Sequence, residues 1–136
     1  MNQFRVWNNE KGWYESSTML LSSCGNIIEI SGSDLNNCKE SLYKVEFNTG
    51  KKDSEGNYMF QGDIVRAIDD LNHSFTGVIE YSIKDCCYII REATGAIHRI
   101  ADKSEMNDGR CQVELKINYF VLGNINENKT LLLNFW

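Results

Sequence analysis

Apolar and polar residues alternate along much of the chain, and this period of two predicts short β-strands. The longest alternation spans 111–122 and sets four apolar residues on one face, Val113, Leu115, Ile117 and Tyr119. The alternation stops after Tyr119, as expected where a strand becomes buried on both faces or bends at a barrel corner, and the following Gly-Asn pair fits a bend. This segment is the clearest strand of the sequence.

A second alternation, in 43–48, predicts a half-buried strand. Its apolar face consists of Tyr43, Val45 and Phe47, and the polar residues between them are expected to face water. A long loop then leads to the next predicted strand, which begins at residue 63 and includes 63–68. Residues 69–74 are polar and are expected to connect this strand to the one that follows.

The segment 77–100 predicts a three-stranded meander. Its first strand, 77–83, places Ile79, Tyr81 and Ile83 on one face. Turns at 84–85 and 94–95 lead into strands at 86–91 and 96–100, and a further turn is expected at 107–109.

The first 42 residues predict a sheet extension with one short helix. Segments 4–7 and 13–14 read as a hairpin, and 27–30 as a strand. In 34–42 the apolar residues Leu35, Cys38 and Leu42 have helical spacing, and Ser33 or Asp34 precedes them as an N-cap. Residues 101–106 favour one or two helical turns.

Many short strands between marked turns indicate a mainly β protein with at most one or two short helices. A small barrel hides strand edges, so we expect an SH3-like barrel with the N-terminal segment as an added sheet. The chain has 136 residues, 42% of them hydrophobic, which suits a single domain over 1–136.

The formal net charge of −5 disfavours binding to nucleic acid, because phosphate backbones repel an acidic protein that has no basic stripe. The only paired lysines, Lys51-Lys52, lie beside Asp53 and Glu55 and are expected to be a solvated turn. There is no apolar run of the roughly 20 residues that a membrane span requires, and no signal-peptide pattern. We therefore expect a cytoplasmic protein that does not enter a membrane.

The candidate metal and thiol chemistry is sparse. The five cysteines have no Cys-x-x-Cys spacing and are expected to be free thiols, at Cys24, Cys38, Cys86, Cys87 and Cys111. His73 and His98 could complete a zinc site with the Cys86-Cys87 pair, but adjacent cysteines in a strand point to opposite faces. We predict no metal and no other cofactor.

No catalytic residues are predicted either. A thiol enzyme would need a base beside a cysteine, and nothing in the spacing requires His98 to approach Cys86 or Cys87. The pair Asp69-Asp70 lies in a polar connector and is expected to be solvated. Gly50-Lys51 is not a Walker loop, because Val45 and Lys52 occupy the positions that the pattern reserves for glycine and Ser or Thr.

Three segments carry a resemblance to a known family. Thr49-Gly50-Lys51-Lys52-Asp53-x-x-Gly56 followed by Phe60-x-Gly62-Asp63-Ile64-Val65 resembles the signature of the YopX family, small proteins carried by phages and prophages of bacteria. The start Phe4-Arg5-Val6-Trp7 and the segment Val121-Leu122-Gly123-Asn124-Ile125-x-Glu127-Asn128 are similar to the family's two ends. The chain departs from the family at Lys129, where members often have proline.

The resemblance implies the same SH3-like class and a bacterial host cell as the location, and it brings no catalytic residues. The matching residues are expected to be structural, and Asp63 in particular is expected to accept hydrogen bonds from the backbone of its turn. They are Thr49, Gly50, Asp53, Gly56, Phe60, Gly62, Asp63, Ile64, Val65, Gly123, Asn124, Glu127 and Asn128.

Two functions remain open at this point. The first is a non-enzymatic module that binds protein, either a second copy or an unidentified phage or host protein, using Trp13, the apolar tail 131–136 or a strand edge. The second is a nucleic-acid-binding accessory protein of a phage, in which Tyr88, Arg91 and Arg99 share a face.

Overall fold

A computed structural model describes residues 3–16, 19–23, 26–31, 34–37, 42–101, 103–107 and 112–131. These residues form thirteen β-strands, and a helical turn begins at Lys129. The strands are β1 Phe4–Asn8, β2 Trp13–Tyr14, β3 Met19–Leu21, β4 Ile27–Ser31, β5 Asp34–Asn37, β6 Tyr43–Lys52, β7 Tyr58–Phe60, β8 Asp63–Asp69, β9 Ser74–Ser82, β10 Cys87–Arg91, β11 Ile97–Arg99, β12 Lys103–Asn107 and β13 Gln112–Asn124.

The chain divides into two compact units, Met1–Phe47 and Asn48–Trp136. In the first unit β1 pairs with β2 and with the beginning of β6, and β3, β4 and β5 form a separate three-stranded sheet. All of these pairings are antiparallel. The hairpin and the strand that the sequence predicts at 4–14 and 27–30 are both confirmed.

The helix predicted at 34–42 is wrong over its first turn, because Asp34–Asn37 is a strand. Ser31 pairs with Asp34 and Ile30 with Leu35, so the backbone groups of this segment bond to β4. Asn36 and Asn37 have low helix propensity and do not resist this pairing. The remainder of the predicted helix, 38–41, lies outside the described residues.

The predicted faces of 43–48 are also wrong. Glu46 is completely buried, whereas Phe47 is 40% exposed. Arg5 lies directly opposite Glu46 in the antiparallel pair of β1 and β6, and the hydroxyl of Tyr14 donates to Glu46 Oε1 at 2.7 Å. A buried carboxylate that receives these donors replaces the expected apolar face.

The second unit is built on a six-stranded antiparallel sheet, in the order β11-β10-β9-β8-β13-β12, which curls into a half barrel. The predicted meander 77–100 and the long strand 111–122 are confirmed, although Cys111 lies outside the described residues. The register shifts between Val121 and Gly123, which is the bend that the lost alternation predicts.

One face of this sheet carries a buried apolar cluster, with Phe75, Tyr88 and Ile117 packed against it. The cluster consists of Met59, Val65, Ala67, Ile79, Ile90 and Tyr119. The sequence predicts that Ile79, Tyr81 and Ile83 share one face. The pairing places Tyr81 on the face of Ile79, opposite Tyr88, whereas Ile83 lies in the turn beyond the end of β9. Tyr81 and Ile83 are 47% and 84% exposed.

The remaining predictions for this unit have mixed outcomes. The helical turns expected at 101–106 are wrong, because Lys103–Asn107 pairs with β13. Only Asn107 of the turn expected at 107–109 is among the described residues. The fold is mainly β, and among the described residues no helix is long and apolar enough to cross a membrane.

Candidate functional site

The curled sheet of the second unit encloses a cleft of about 630 Å³. Strands β8, β9, β11 and β13 contribute to its walls, together with the turns that follow β8 and β10. The lining residues are Ala67, Asp69, His73, Ser74, Phe75, Glu92, Ile97, His98, Arg99, Ala101, Ile117 and Tyr119. The site is large enough for a few side chains of a bound segment.

One wall of the cleft is a stacked pair of rings. Phe75 on β9 and His98 on β11 have ring centroids 3.7 Å apart with an interplanar angle of 11°. His98 is the register partner of Ile90, a residue of the apolar cluster, so its imidazole is on the concave side of the sheet. Phe75 lies four residues before Ile79, the β9 partner of Ile90, so the two rings meet on the diagonal of the sheet and not directly across β10.

The opposite wall is held by Tyr119. Its hydroxyl donates to the carbonyl oxygen of Ala101 at 2.8 Å and accepts from the Ala101 N–H at 3.0 Å. Two hydrogen bonds to one backbone unit fix the phenol ring in orientation, and they tie the segment after β11 back to β13. This wall of the cleft is therefore held in place by hydrogen bonds within the chain.

Both histidines of the chain line the cleft, and each contacts one carboxylate. His98 Nε2 is 2.8 Å from Glu92 Oε2, and His73 Nδ1 is 3.1 Å from Asp69 Oδ2. Partial desolvation alone would raise the pKa of Asp69. Hydrogen bonds from the N–H groups of His73 and Leu71 and from the His73 ring outweigh this effect, so the pKa lies below its ordinary value.

Strand β11 ends the sheet at the border of the cleft. Glu92 N–H donates to the Ala96 carbonyl at 2.9 Å, so these two residues are a hydrogen-bonded pair that continues the ladder of β10 and β11. Hydrogen-bonded pairs recur at every second residue of an antiparallel ladder, so Ile90 and His98 are the next such pair. The backbone N–H and C=O groups of Ile97 and Arg99 therefore point away from β10. In the described part of the chain no strand pairs with this edge.

The metal and thiol chemistry weighed from the sequence is not assembled. Cys87 pairs with Ser82, while His98 pairs with Ile90, three positions further along β10. Cys86 is exposed in the preceding turn. Among the described residues there is no group of three or more His, Cys, Asp or Glu that could hold a metal ion. The other three cysteines, Cys24, Cys38 and Cys111, lie outside the described residues.

The sequence did not indicate that His73 and His98 share a cleft. They lie 25 positions apart, and the order of β8 to β11 brings them to the same side of the sheet. The order of polar and apolar residues around each histidine does not indicate that the two share a cleft. Asp69 was expected to be solvated, yet its Oδ1 accepts from the N–H groups of Leu71 and His73, so it organises the β8–β9 turn.

The long loop predicted over the first part of the family motif is wrong, because residues 49–52 belong to β6 and 58–60 to β7. Only 53–57 forms a turn, and it lies against β13. Asp53 is buried, and its Oδ1 accepts from the N–H groups of Glu55 and Asn57 at 3.0 and 2.8 Å. Its Oδ2 accepts from Val121 N–H at 3.2 Å. Desolvation alone would raise the pKa of Asp53, but these hydrogen bonds outweigh it and lower the pKa.

Asp63 and Gly62 organise the turn between β7 and β8. Phe60 N–H donates to Asp63 Oδ2 at 2.7 Å, and Asp63 is buried. Gly62 has φ of 90°, a conformation that L side chains rarely adopt. Its N–H donates to the Ile79 carbonyl and its carbonyl accepts from Ile125 N–H. The next two motif residues, Ile64 and Val65, are completely buried.

The closing part of the motif is a compact turn after β13. Asn124 Oδ1 accepts from the N–H groups of Asn126 and Glu127, and Asn128 Oδ1 accepts from Asn124 N–H. A Cβ on Gly123 would lie 2.5 Å from Asn128 Oδ1, so only glycine fits there. The side chain of Glu127 is exposed.

The remaining motif residues lie in the β6–β7 hairpin. Thr49 Oγ1 donates to the Met59 carbonyl at 2.8 Å. Gly50 and Gly56 have φ of 81° and 87°. The motif residues thus lie in turns and at strand starts, and the structural role predicted for them stays a prediction.

The residues weighed for nucleic acid are divided between the two faces of the sheet. Arg91 and Arg99 share the face opposite the cleft, because their register partners are Ile97 and Ile89. Tyr88 packs against the apolar cluster on the other face. Arg91 Nε is 2.8 Å from Glu80 Oε2. Of these three described residues, the two arginines therefore lie on one face and the aromatic ring on the other, so they do not form the combined surface that the hypothesis requires.

Comparisons with known proteins agree with the fold. A family model described as YopX protein matches residues 3–133. A solved structure, the crystal structure of protein EF1440 from Enterococcus faecalis, matches with a TM-score of 0.51 and 22% identity, covering 96% of each chain. No protein with a curated description matches. At this identity the structural match shows a shared fold.

Proposed function

The chain belongs to the YopX family, and from its cleft and the edge strand beside it we propose that it is a non-enzymatic protein-interaction module that self-associates. One observation carries the proposal. The outward backbone groups of Ile97 and Arg99 lie next to a cleft that is lined by aromatic, aliphatic and charged side chains. An extended segment can pair with such an edge and place alternate side chains in the cleft.

The polar groups of the cleft support binding rather than catalysis. Glu92 contacts His98 and Asp69 contacts His73, and the Tyr119 hydroxyl is engaged by the backbone of Ala101. A nucleophile activated by a neighbouring base is the usual sign of covalent catalysis. In the described part of the cleft, the imidazoles instead contact carboxylates of the same wall or turn.

A second copy of the chain is the partner that we propose first. Two β11 edges can pair antiparallel about a twofold axis, since the same groups are offered by both copies. Ile97 is 50% exposed, so its pairing would also remove apolar surface from water. We further propose that the half barrel is SH3-like, that the protein acts in the cytoplasm of a bacterial host, and that it serves a phage or prophage.

The experiment is light scattering of the full chain over a range of concentrations, beside two variants of one residue. Arg99→Pro removes an outward N–H without removing a ladder hydrogen bond and should abolish association. Arg99→Ala, which removes the side chain but keeps the N–H, is the matched control and should associate like the parent. A chain ending at Asn128 tests the tail as an alternative contact.

A monomeric parent at about tens of micromolar would contradict self-association, since specific interfaces usually reach this affinity. Association that survives Arg99→Pro but is lost on removal of the tail would assign the contact to residues 129–136 instead of β11.

Nucleic-acid binding is the second candidate function, and one observation favours it. Lys52 and Lys116 line a depression of about 280 Å³ together with Ser54 and Asn118. Asp53 lines the same depression, and the chain has a net charge of −5, so we expect weak binding without sequence preference. Fluorescence anisotropy with single- and double-stranded probes measures it, and a submicromolar, salt-sensitive complex would favour this second candidate.

A further inference from the structure

Among the described residues that line the cleft, carboxylates outnumber the side chains of Lys and Arg. Asp69 and Glu92 both line the cleft, each beside a histidine. Arg99 also lines the cleft, but it follows His98 on β11, and its guanidinium Nη2 lies 3.6 Å from Asp85 Oδ1. The cleft is therefore lined by two carboxylates and by one arginine that already has a carboxylate partner.

We propose that the cleft binds the guanidinium group of an arginine side chain carried by an extended segment of a protein partner. This inference rests on the proposed function, because the segment reaches the cleft by pairing with the β11 edge, where it takes the place of a second copy. Antiparallel pairing beside Ile97 and Arg99 would direct alternate side chains of the segment to the concave side, next to His98.

The rings of the cleft suit a guanidinium better than an ammonium group. A guanidinium is planar, stacks on aromatic faces and donates two parallel hydrogen bonds to one carboxylate. The Phe75–His98 stack and the Tyr119 ring provide aromatic walls, and the Glu92 carboxylate stands at the edge of the stack. The acidic balance of the whole chain further favours the approach of a basic segment.

The test uses two fluorescent peptides of alternating Thr and Val that differ at one central position, arginine in one and citrulline in the other. Citrulline has the same shape and no charge, so the comparison isolates the guanidinium charge. Fluorescence anisotropy is measured with the full chain, with Glu92→Gln, which keeps an oxygen for His98, and with Glu55→Gln, an exposed matched control. Circular dichroism checks that each variant is folded.

We expect the arginine peptide to bind at least about fivefold more tightly than the citrulline peptide, as for a partly exposed ion pair. Glu92→Gln should remove most of that difference, and Glu55→Gln should keep it.

Equal binding of both peptides to the parent would overturn the inference while leaving the proposed function in place. Absence of binding by either peptide would also overturn it, and the light-scattering experiment then decides separately whether the chain still self-associates.

Discussion

Replacing Glu46 tests whether the buried carboxylate of the first unit stabilises the fold. Its side chain is inaccessible to solvent, and its Oε1 accepts from the Tyr14 hydroxyl at 2.7 Å and from Arg5 Nε at 2.9 Å. Lys44 Nζ lies 3.5 Å from Oε2. A buried charge of this kind is tolerated only while its partners remain in place.

The magnitude follows from these contacts. Glu46→Gln keeps an oxygen for Tyr14 and Arg5 but turns two charge-assisted hydrogen bonds into weaker ones, which should cost about 2 kcal/mol of the free energy of unfolding. Glu46→Ala removes the carboxylate that both donors contact and opens a cavity, which should cost about 3–5 kcal/mol. The two variants therefore separate the contribution of the charge from that of the side chain.

Urea unfolding followed by tryptophan fluorescence is the assay. Trp7 is buried on β1, and its ring centroid is 4.9 Å from that of Tyr14, so its emission reports on the unit that contains Glu46. Glu10→Gln is the matched control on an exposed position and should change stability by no more than about 0.5 kcal/mol. A Glu46→Gln variant as stable as the parent would refute the reasoning.

Three further predictions concern the family motif and the cysteines. Asp63→Ala should lose about 1–3 kcal/mol in urea unfolding and Asp63→Asn less, and Gly62→Ala should lose about 1 kcal/mol because of its positive φ; unchanged stability of all three would contradict a structural role. The lowered pKa of Asp53 stabilises the fold above the ordinary pKa of 3.8, and this contribution disappears as the pH falls through the folded-state value. Asp53→Asn should therefore be less stable than the parent at pH 7, with the gap closing in acid, and a gap independent of pH would disprove this. Elemental analysis should find no stoichiometric metal, and all five cysteines should titrate as thiols after unfolding; bound zinc or missing thiols would show the opposite.

The strands that alternate cleanly were predictable because their periodicity records a sheet with one buried face. The long strand β13 and the meander from β9 to β11 are examples, and the bend near Gly123 followed from the loss of alternation. Family membership was predictable as well, since it rests on local motifs. These features depend on residues close together in the chain.

The errors arise where a distant strand decides the environment. Glu46 is buried because Arg5 and Tyr14 supply donors to it, which the pattern within β6 does not record. The segment Asp34–Asn37 has a weak helical pattern that pairing with β4 overrides.

The candidate site was hidden for the same reason. His73 and His98 line one cleft only through the order of four strands, and the stack of His98 on Phe75 is a diagonal contact between β11 and β9. Tyr119 was assigned to the apolar face of its strand, but its hydrogen bonds to Ala101 depend on how the sheet curls. Spacing in the sequence carries no signal for such contacts.

Hydrogen–deuterium exchange of the Ile97 and Arg99 amides, followed by NMR at increasing protein concentration, tests most directly whether β11 is the binding edge. In the monomer both N–H groups point away from the sheet and should exchange rapidly, and self-association through this edge should slow them as concentration rises. The His98 amide, which faces β10, is the internal reference and should be protected throughout. Rapid exchange of Ile97 and Arg99 at concentrations where light scattering shows an oligomer would contradict pairing at this edge.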